Sequence, residues 1–204
     1  MSDTKESILT AALHLFARDG YEAVSVSQIA GELGMTKGAL YKHYRNKRDI
    51  FDHIVARMEE MDAKQADKFE LPEGSMEEME EKYYHVSLRQ FAEYSKEQFQ
   101  YWTEDDFASS FRKMLTLEQF RNAEMQQLYQ QYLAAGPMAY VTDLFAAWKI
   151  PDAKKVAACF YGTMFFFYSL YDGAEDKKNI TVQFQKIVED MIENICKEEK
   201  GEQS

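Results

Sequence analysis

Apolar residues recur at helical spacing along most of the chain. Ile8, Leu9, Ala12, Leu13 and Phe16 share one face of a helix predicted over about Thr4–Asp19, and Gly20 follows as its C-terminal stop. Ser25 and Gln28 have capping-box spacing at the start of a second helix, whose apolar face is Val26, Ile29, Ala30 and Leu33. Gly34 ends that helix and supplies the positive φ a tight turn can demand. A third helix is predicted from near Thr36 to about Tyr44. Asn46 caps a fourth, with Asp49 at its third position, where a negative charge suits the helix dipole. Ile50, Phe51, Ile54, Val55 and Met58 form its inner side.

A break falls at Leu71-Pro72-Glu73-Gly74-Ser75, and helical patterning then resumes. A long helix is predicted over roughly Met76–Tyr101. Thr103 looks like the cap of a short helix reaching Met114, and Thr116 opens another reaching Ala134. Gly136-Pro137 bends or splits it, and the chain continues helically to Trp148. Pro151-Asp152 precedes a helix ending near Asp172-Gly173, and a last helix runs over Thr181–Lys197. The expected fold class is therefore all-α. An N-terminal three-helix helix-turn-helix domain occupies 1–48, and a C-terminal helical bundle occupies 49–198. Helix 4, about 47–68, couples the two, and 199–204 form a disordered tail.

Composition narrows this picture. Hydrophobic residues make up 46% of the 204, which excludes disorder over most of the length, and 3 prolines with 9 glycines do not suit a many-turned β-protein. The most apolar stretch, Val156–Tyr171, is shorter than the ~18–20 residues a membrane span needs, so it reads as a buried helix and no membrane partner is expected. The polar N-terminus has no signal-peptide core, and Cys159 and Cys196 stand apart. Both features suit a reduced cytoplasmic protein with buried thiols. Net charge is -11, which alone argues against nucleic acid, but its distribution reverses that inference. Residues 1–57 hold eight basic and seven acidic side chains, and the rest hold 16 and 28. Lys37, Lys42, Arg45, Lys47 and Arg48 fall in the acid-free stretch 34–48. A short positive segment on an acidic body can meet DNA phosphates while the body stays clear of them.

The segment VSQIAGELGMTKGALYKHY, from Val26 to Tyr44, reads as two short helices joined by a glycine turn. Thr36, Lys37, Gly38 and Ala39 give the second helix a narrow leading end suited to the major groove. Leu40 points inward, leaving Tyr41 and Lys42 outward, while His43 and Lys47 can reach phosphates. The helix 4 N-terminus after Asn46 adds backbone N–H groups that suit an anion. A glycine-turned helical pair also occurs in proteins that bind no DNA; Ser25 is first a cap, and Tyr44 is more at home in the core. The run ILTAALHLFARDGYEAVSVSQIAGELGMTKGALYKHYRNKRDIF closely resembles the DNA-binding domain of the tetracycline-repressor (TetR) family. The resemblance covers about residues 5–55. It departs mildly from the family pattern at Tyr44 and at Arg48-Asp49. It implies a homodimer of nine- or ten-helix subunits whose repression a small molecule relieves. Position by position, it implies that Thr36 and Lys37 contact base edges or nearby phosphates, and that Gly38 and Ala39 allow close approach. Tyr41, His43 and Lys47 match phosphate-contacting positions, and Ser25 could join them. Lys42 completes the expected DNA-binding set.

Beyond residue 60 the resemblance fades, although Met114–Phe120 through Gly136-Pro137 to Tyr171-Asp172-Gly173 looks like one recurring C-terminal type. The family reading puts dimerisation on the last two long helices, through Phe160, Tyr161, Met164, Phe165, Ile187, Val188, Met191, Ile192 and Ile195, packed as a four-helix bundle. The same stripes could instead serve the intrachain core. Tyr84, His85, Arg89, Trp102, Phe107, Phe111, Tyr129, Tyr132, Phe166 and Tyr168 lie in helices that would surround a ligand cavity in this family. Ordinary core packing is the alternative for each. No catalytic constellation, metal-ligand spacing or cofactor loop is present in the sequence, so no enzyme, metal or cofactor is expected. The reading is a DNA-binding regulator, a repressor released from a palindromic operator by a small hydrophobic ligand. The alternative is a DNA-bound activator or a partner-controlled regulator without an inducer.

Overall fold

A computed structural model describes residues 4–69 and 86–201. The described residues form α-helices and no strand: α1 (Thr4–Asp19), α2 (Val26–Glu32), α3 (Lys37–Leu40), α4 (Lys47–Lys68), α5 (Leu88–Glu104), α6 (Asp106–Glu118), α7 (Ala123–Leu133), α8 (Ala135–Ala147), α9 (Ala153–Gly173) and α10 (Lys177–Gly201). They divide into two compact units. The first joins the described residues up to Ala63 to Asp106–Tyr129, and the second joins Lys64–Asp105 to the chain from Gln130 onward.

In the first unit the faces read from the sequence close on one another. Ile8, Ala12, Leu13 and Phe16 of α1, Ile29 of α2, Leu40 of α3 and Ile50, Phe51 and Ile54 of α4 are buried. Each of these apart from Ala12 contributes about 1.5–3 kcal/mol when fully removed from water. The other face of α1 is covered by α6, whose Ala108, Phe111, Met114 and Leu115 have no exposed surface. Tyr21, in the α1–α2 turn, stands edge-on to Phe16 and Phe51 with ring centroids 5.0 and 5.3 Å away. The turn itself requires Gly20. Its φ is +88°, and a Cβ there would lie 2.5 Å from Oε1 of Glu118.

In the second unit α9 packs on α8, α10 and α5, and α10 packs on α5. Rings fill the space between them: Phe99 stacks on Phe184 at 4.2 Å, and Phe91 meets Phe145, Trp148 and Phe160 at 5.0–5.6 Å. Trp148 Nε1 donates to the Val86 carbonyl at 2.7 Å and Tyr161 Oη to that of Leu133 at 2.8 Å, so one half-buried and one buried polar tip are satisfied.

Several boundaries differ from expectation, each for a local reason. The helix predicted from Met76 is described only from Leu88, where Ser87 and Gln90 form a capping box; Met76 lies outside the described residues. Thr103 and Thr116 are not caps. Their hydroxyls donate back to the carbonyls of Phe99 (2.6 Å) and Arg112 (2.8 Å) inside continuous helices. The cap lies instead at Asn122, whose Oδ1 accepts from the backbone N–H of Glu124 at 2.9 Å and opens α7. The last helix starts at Lys177, four residues earlier than predicted, because Asp176 Oδ1 accepts from Asn179 N–H at 3.0 Å. It continues to Gly201, past the expected start of the tail. Pro137 sits in the first turn of α8, where its missing N–H has no partner to lose. Cys159, expected to be buried, is exposed on α9. The side chain of Cys196 lies outside the described residues.

Candidate nucleic-acid interface

The α2–α3 pair is held by side-chain caps at both starts. Ser25 Oγ accepts from Gln28 N–H at 3.2 Å while Gln28 Oε1 accepts from Ser25 N–H at 2.8 Å, completing the expected capping box. Gly34 turns the chain at φ +62°. Thr36 Oγ1 then accepts from Ala39 N–H at 3.1 Å. The regular part of α3 is short, but the chain stays coiled to Tyr44, with His43 N–H on the Leu40 carbonyl at 2.9 Å and Tyr44 N–H on it at 3.2 Å. Leu40 and Tyr44 anchor this coil in the core, and Tyr44 Oη donates to the Lys5 carbonyl at 3.2 Å. The anchoring leaves Thr36, Lys37, Gly38, Tyr41 and Lys42 exposed along one edge, with Ala39 and His43 half-buried and Ser25 exposed at the head of α2. Tyr41 is 44% exposed, unusual for so large an apolar ring, and the Lys37 ammonium stands 5.7 Å from its centre.

The acid-free basic stretch divides in the fold. Lys37 and Lys42 lie on the exposed edge. Lys47 turns back: its Nζ donates to the Tyr21 carbonyl at 2.8 Å and stands 4.3 Å over the Tyr21 ring, so it braces the α1–α2 turn. Arg45 pairs with Asp49, which accepts its guanidinium at 3.1 Å and its backbone N–H at 2.8 Å. Those bonds, the side-chain one foremost, hold the Asp49 carboxyl below the usual carboxylate range. Arg48 donates to Asp52 at 2.6 Å and, through both terminal nitrogens, to the two oxygens of Glu124 at 2.6 Å each. These carboxylates, Glu124 first, raise the Arg48 guanidinium above its ordinary value. Burial pushes the Tyr21 phenol up.

Three carboxylates of the α6–α7 segment thus meet the helix-turn-helix region within this unit. Asp106 accepts from His14 Nε2 of α1 at 2.8 and 2.9 Å. Glu118, with no exposed surface, accepts from the Tyr21 backbone N–H at 3.0 Å. Glu124 holds Arg48. The Arg45–Asp49 and Arg48–Asp52 pairs have the i,i+4 spacing a sequence can show. The Glu118 and Glu124 ties span 97 and 76 residues and leave no local signal.

The residues expected around a ligand are divided between the two units. Trp102, Tyr132 and Tyr168 are buried in the second unit, where the Trp102 and Tyr132 rings lie 6.3 Å apart. Phe107, Phe111 and Tyr129 are buried in the first unit. Arg89 is exposed, and Phe166 is 59% exposed; Tyr84 and His85 lie outside the described residues. Of the residues expected at a dimer interface, Phe160, Tyr161, Met164, Val188, Ile192 and Ile195 are buried within the second unit. Ile187 and Met191 are half-buried, and Phe165 is exposed. Helical periodicity identifies an apolar face without saying whether a chain's own core or a second chain covers it. Among the described residues no three or more His, Cys, Asp and Glu side chains gather as a metal site, and no helix is long and apolar enough to cross a membrane.

A capped, glycine-turned helix pair with a buried back and an exposed leading edge defines a helix-turn-helix module in an all-helical protein. Residues 8–54 match the family described as "Bacterial regulatory proteins, tetR family". The HTH-type transcriptional regulator AcrR of Shigella flexneri is 40% identical over 52 residues, which are 26% of this chain and 24% of that protein. The HTH-type transcriptional repressor BepR of Brucella suis is 39% identical over 56 residues, 28% of this chain and 27% of its own. The matches to these relatives therefore span only about a quarter of their length. Over nearly the whole chain the fold is similar to that of the fatty acid degradation regulator FadR from Bacillus halodurans, with TM-score 0.62 and 18% identity over 94% of this chain and 96% of that one. It is similar also to GusR of Salmonella enterica, with TM-score 0.55 and 23% identity over 93% and 95%. The likeness to TetR-family regulators in sequence is thus confined to residues 8–54, about a quarter of the chain, and the likeness to the solved structures is one of fold.

Proposed function

We propose that the protein is a sequence-specific DNA-binding transcriptional regulator that reads its operator with the exposed edge of α3. The observation that carries this reading is the division of α3 itself: Leu40 and Tyr44 fix it in the core while Thr36, Lys37, Gly38, Tyr41 and Lys42 face outward. Small residues at the leading end admit the backbone to the major groove, Lys37 and Lys42 supply positive charge, and Tyr41 and Ser25 offer hydroxyls to phosphates. Lys47 supports the reading from behind by holding the Tyr21 turn.

The protein acts as a cytoplasmic homodimer, so that two α3 edges meet successive major grooves of a palindromic site. The exposed Phe165 and Phe166 of α9 support a second copy packing there. Regulation is repression relieved by a small, largely apolar ligand. The aromatic second unit supports this reading, and one protein of similar fold is named a gamma-butyrolactone receptor. Such a ligand must bind the DNA-free arrangement better than the DNA-bound one.

The test is a binding titration of the purified protein on the DNA upstream of its own gene and on duplexes it selects from a random pool, across salt and with apolar candidate ligands. Lys37→Ala and Tyr41→Ala are expected to weaken binding about tenfold each with unfolding midpoints unchanged, since a lost contact costs about 1–3 kcal/mol. Unaltered affinity in both variants defeats the assignment of α3 as the reading element.

A further inference from the structure

Among the three carboxylate ties, the Arg48–Glu124 pair differs from the others in one respect. Glu118 engages a backbone amide and Asp106 a histidine, whereas Glu124 takes up a permanent cation in the first turn of α4, the helix that follows the module. Arg48 follows Lys47 in the first turn of α4. Its guanidinium stands 5.6 Å from the centre of the Phe51 ring, and Tyr21 of the α1–α2 turn packs on the same ring at 5.3 Å. Its side chain stays 55% exposed and that of Glu124 41% exposed. A pair so exposed adds little to stability. Its larger effect is on charge: the one cation Arg48 is outweighed by two carboxylates, Asp52 and Glu124. Asp52 is on the same helix and travels with Arg48. Glu124 is on α7, 76 residues along the chain, and is tied to Arg48 by the fold rather than by a shared helix.

Resting on the DNA-reading function above, we propose that Arg48 is a phosphate-contacting residue held in reserve and that Glu124 is its gate. With α7 seated, Glu124 occupies both terminal nitrogens of the guanidinium and supplies a negative charge that repels the DNA backbone. When Glu124 withdraws, the same planar fork is presented to a phosphate, the anion whose geometry it matches equally well. The position of α7 then sets how strongly the protein grips DNA, independently of the base contacts made by α3.

The test compares the full-length protein with Glu124→Gln and with the double variant Glu124→Gln/Arg48→Gln on a duplex the protein has selected from a random pool, at several salt concentrations. Glu124→Gln is expected to bind about 3–10-fold more tightly near 0.1 M salt. Its plot of log affinity against log salt should steepen by about 0.9, the signature of one more neutralised phosphate. The double variant should lose both gains. If Glu124→Gln proves poorly folded by circular dichroism, Glu124→Asp, which withdraws the carboxylate by one methylene, should shift affinity and slope in the same direction. A native protein that binds no duplex overturns the DNA-reading function and the gate together. A native protein that binds, with affinity and slope unchanged or lowered in the Glu124 variants, overturns the gate alone.

Discussion

Gly20 shows how much one residue can be asked to do. The turn needs φ +88°, which costs a non-glycine residue about 1–2 kcal/mol, and the Glu118 carboxylate occupies the space a Cβ would take. Gly20→Ala is therefore expected to destabilise the protein by about 2 kcal/mol or more, read as a lower urea midpoint, because it also pushes Glu118 off the Tyr21 N–H. Asp49 makes a different prediction. Its folded carboxyl titrates below the ordinary value near ~3.9, so its stabilisation is complete above that pH and is lost as pH falls through the depressed folded value. Asp49→Asn should lower the urea midpoint at pH 7 and converge with the native protein as pH falls through that depressed range. Parallel curves across that range would show that the Arg45 bonds add nothing.

Among the helices, local chemistry decided what could be read from the sequence. Ser25–Gln28, Gly34, Thr36 and Asn46 are all local signals, and each does in the fold what its spacing implied. The first four helices were legible for that reason, as was the outward edge of α3. Thr103, Thr116 and Thr181 misled, because a threonine hydroxyl bonds as readily to the carbonyl one turn back as to a helix N-terminus. Asn122 was overlooked since the run Glu118–Met125 has no strong break in hydrophobic pattern. Asn122→Ala is expected to cost about 1 kcal/mol, measured by urea unfolding, as loss of a cap does. Thr116→Ala should cost only a few tenths, because that hydroxyl holds no helix end. The ties from α6 and α7 to the Tyr21 turn and Arg48 had no such local mark, and neither did the choice between core and partner for the α9 and α10 faces.

For the whole molecule the relevant quantities are charge and assembly. To read DNA as proposed, a chain of net charge -11 must present its few outward cations together and keep its acids elsewhere. The proposed dimer places a second prediction here. Replacing both Phe165 and Phe166 by Glu should convert a species of twice 23.8 kDa into one of 23.8 kDa in sedimentation, with helicity retained. Operator affinity should fall more steeply than with either Lys37→Ala or Tyr41→Ala alone, since the two-site advantage is lost. A monomeric native protein would remove the basis of that prediction. The first compact unit also has a practical meaning for anyone who would transplant the proposed reading head. It is assembled from two stretches of sequence with Lys64–Asp105 threaded between them. Cutting the chain after Ala63 would strip the lid of Phe111, Met114 and Leu115 from α1 and leave a greasy, untethered fragment. A hybrid sensor that keeps this reading head must therefore be spliced at three seams rather than one, carrying Asp106–Tyr129 along as part of the head.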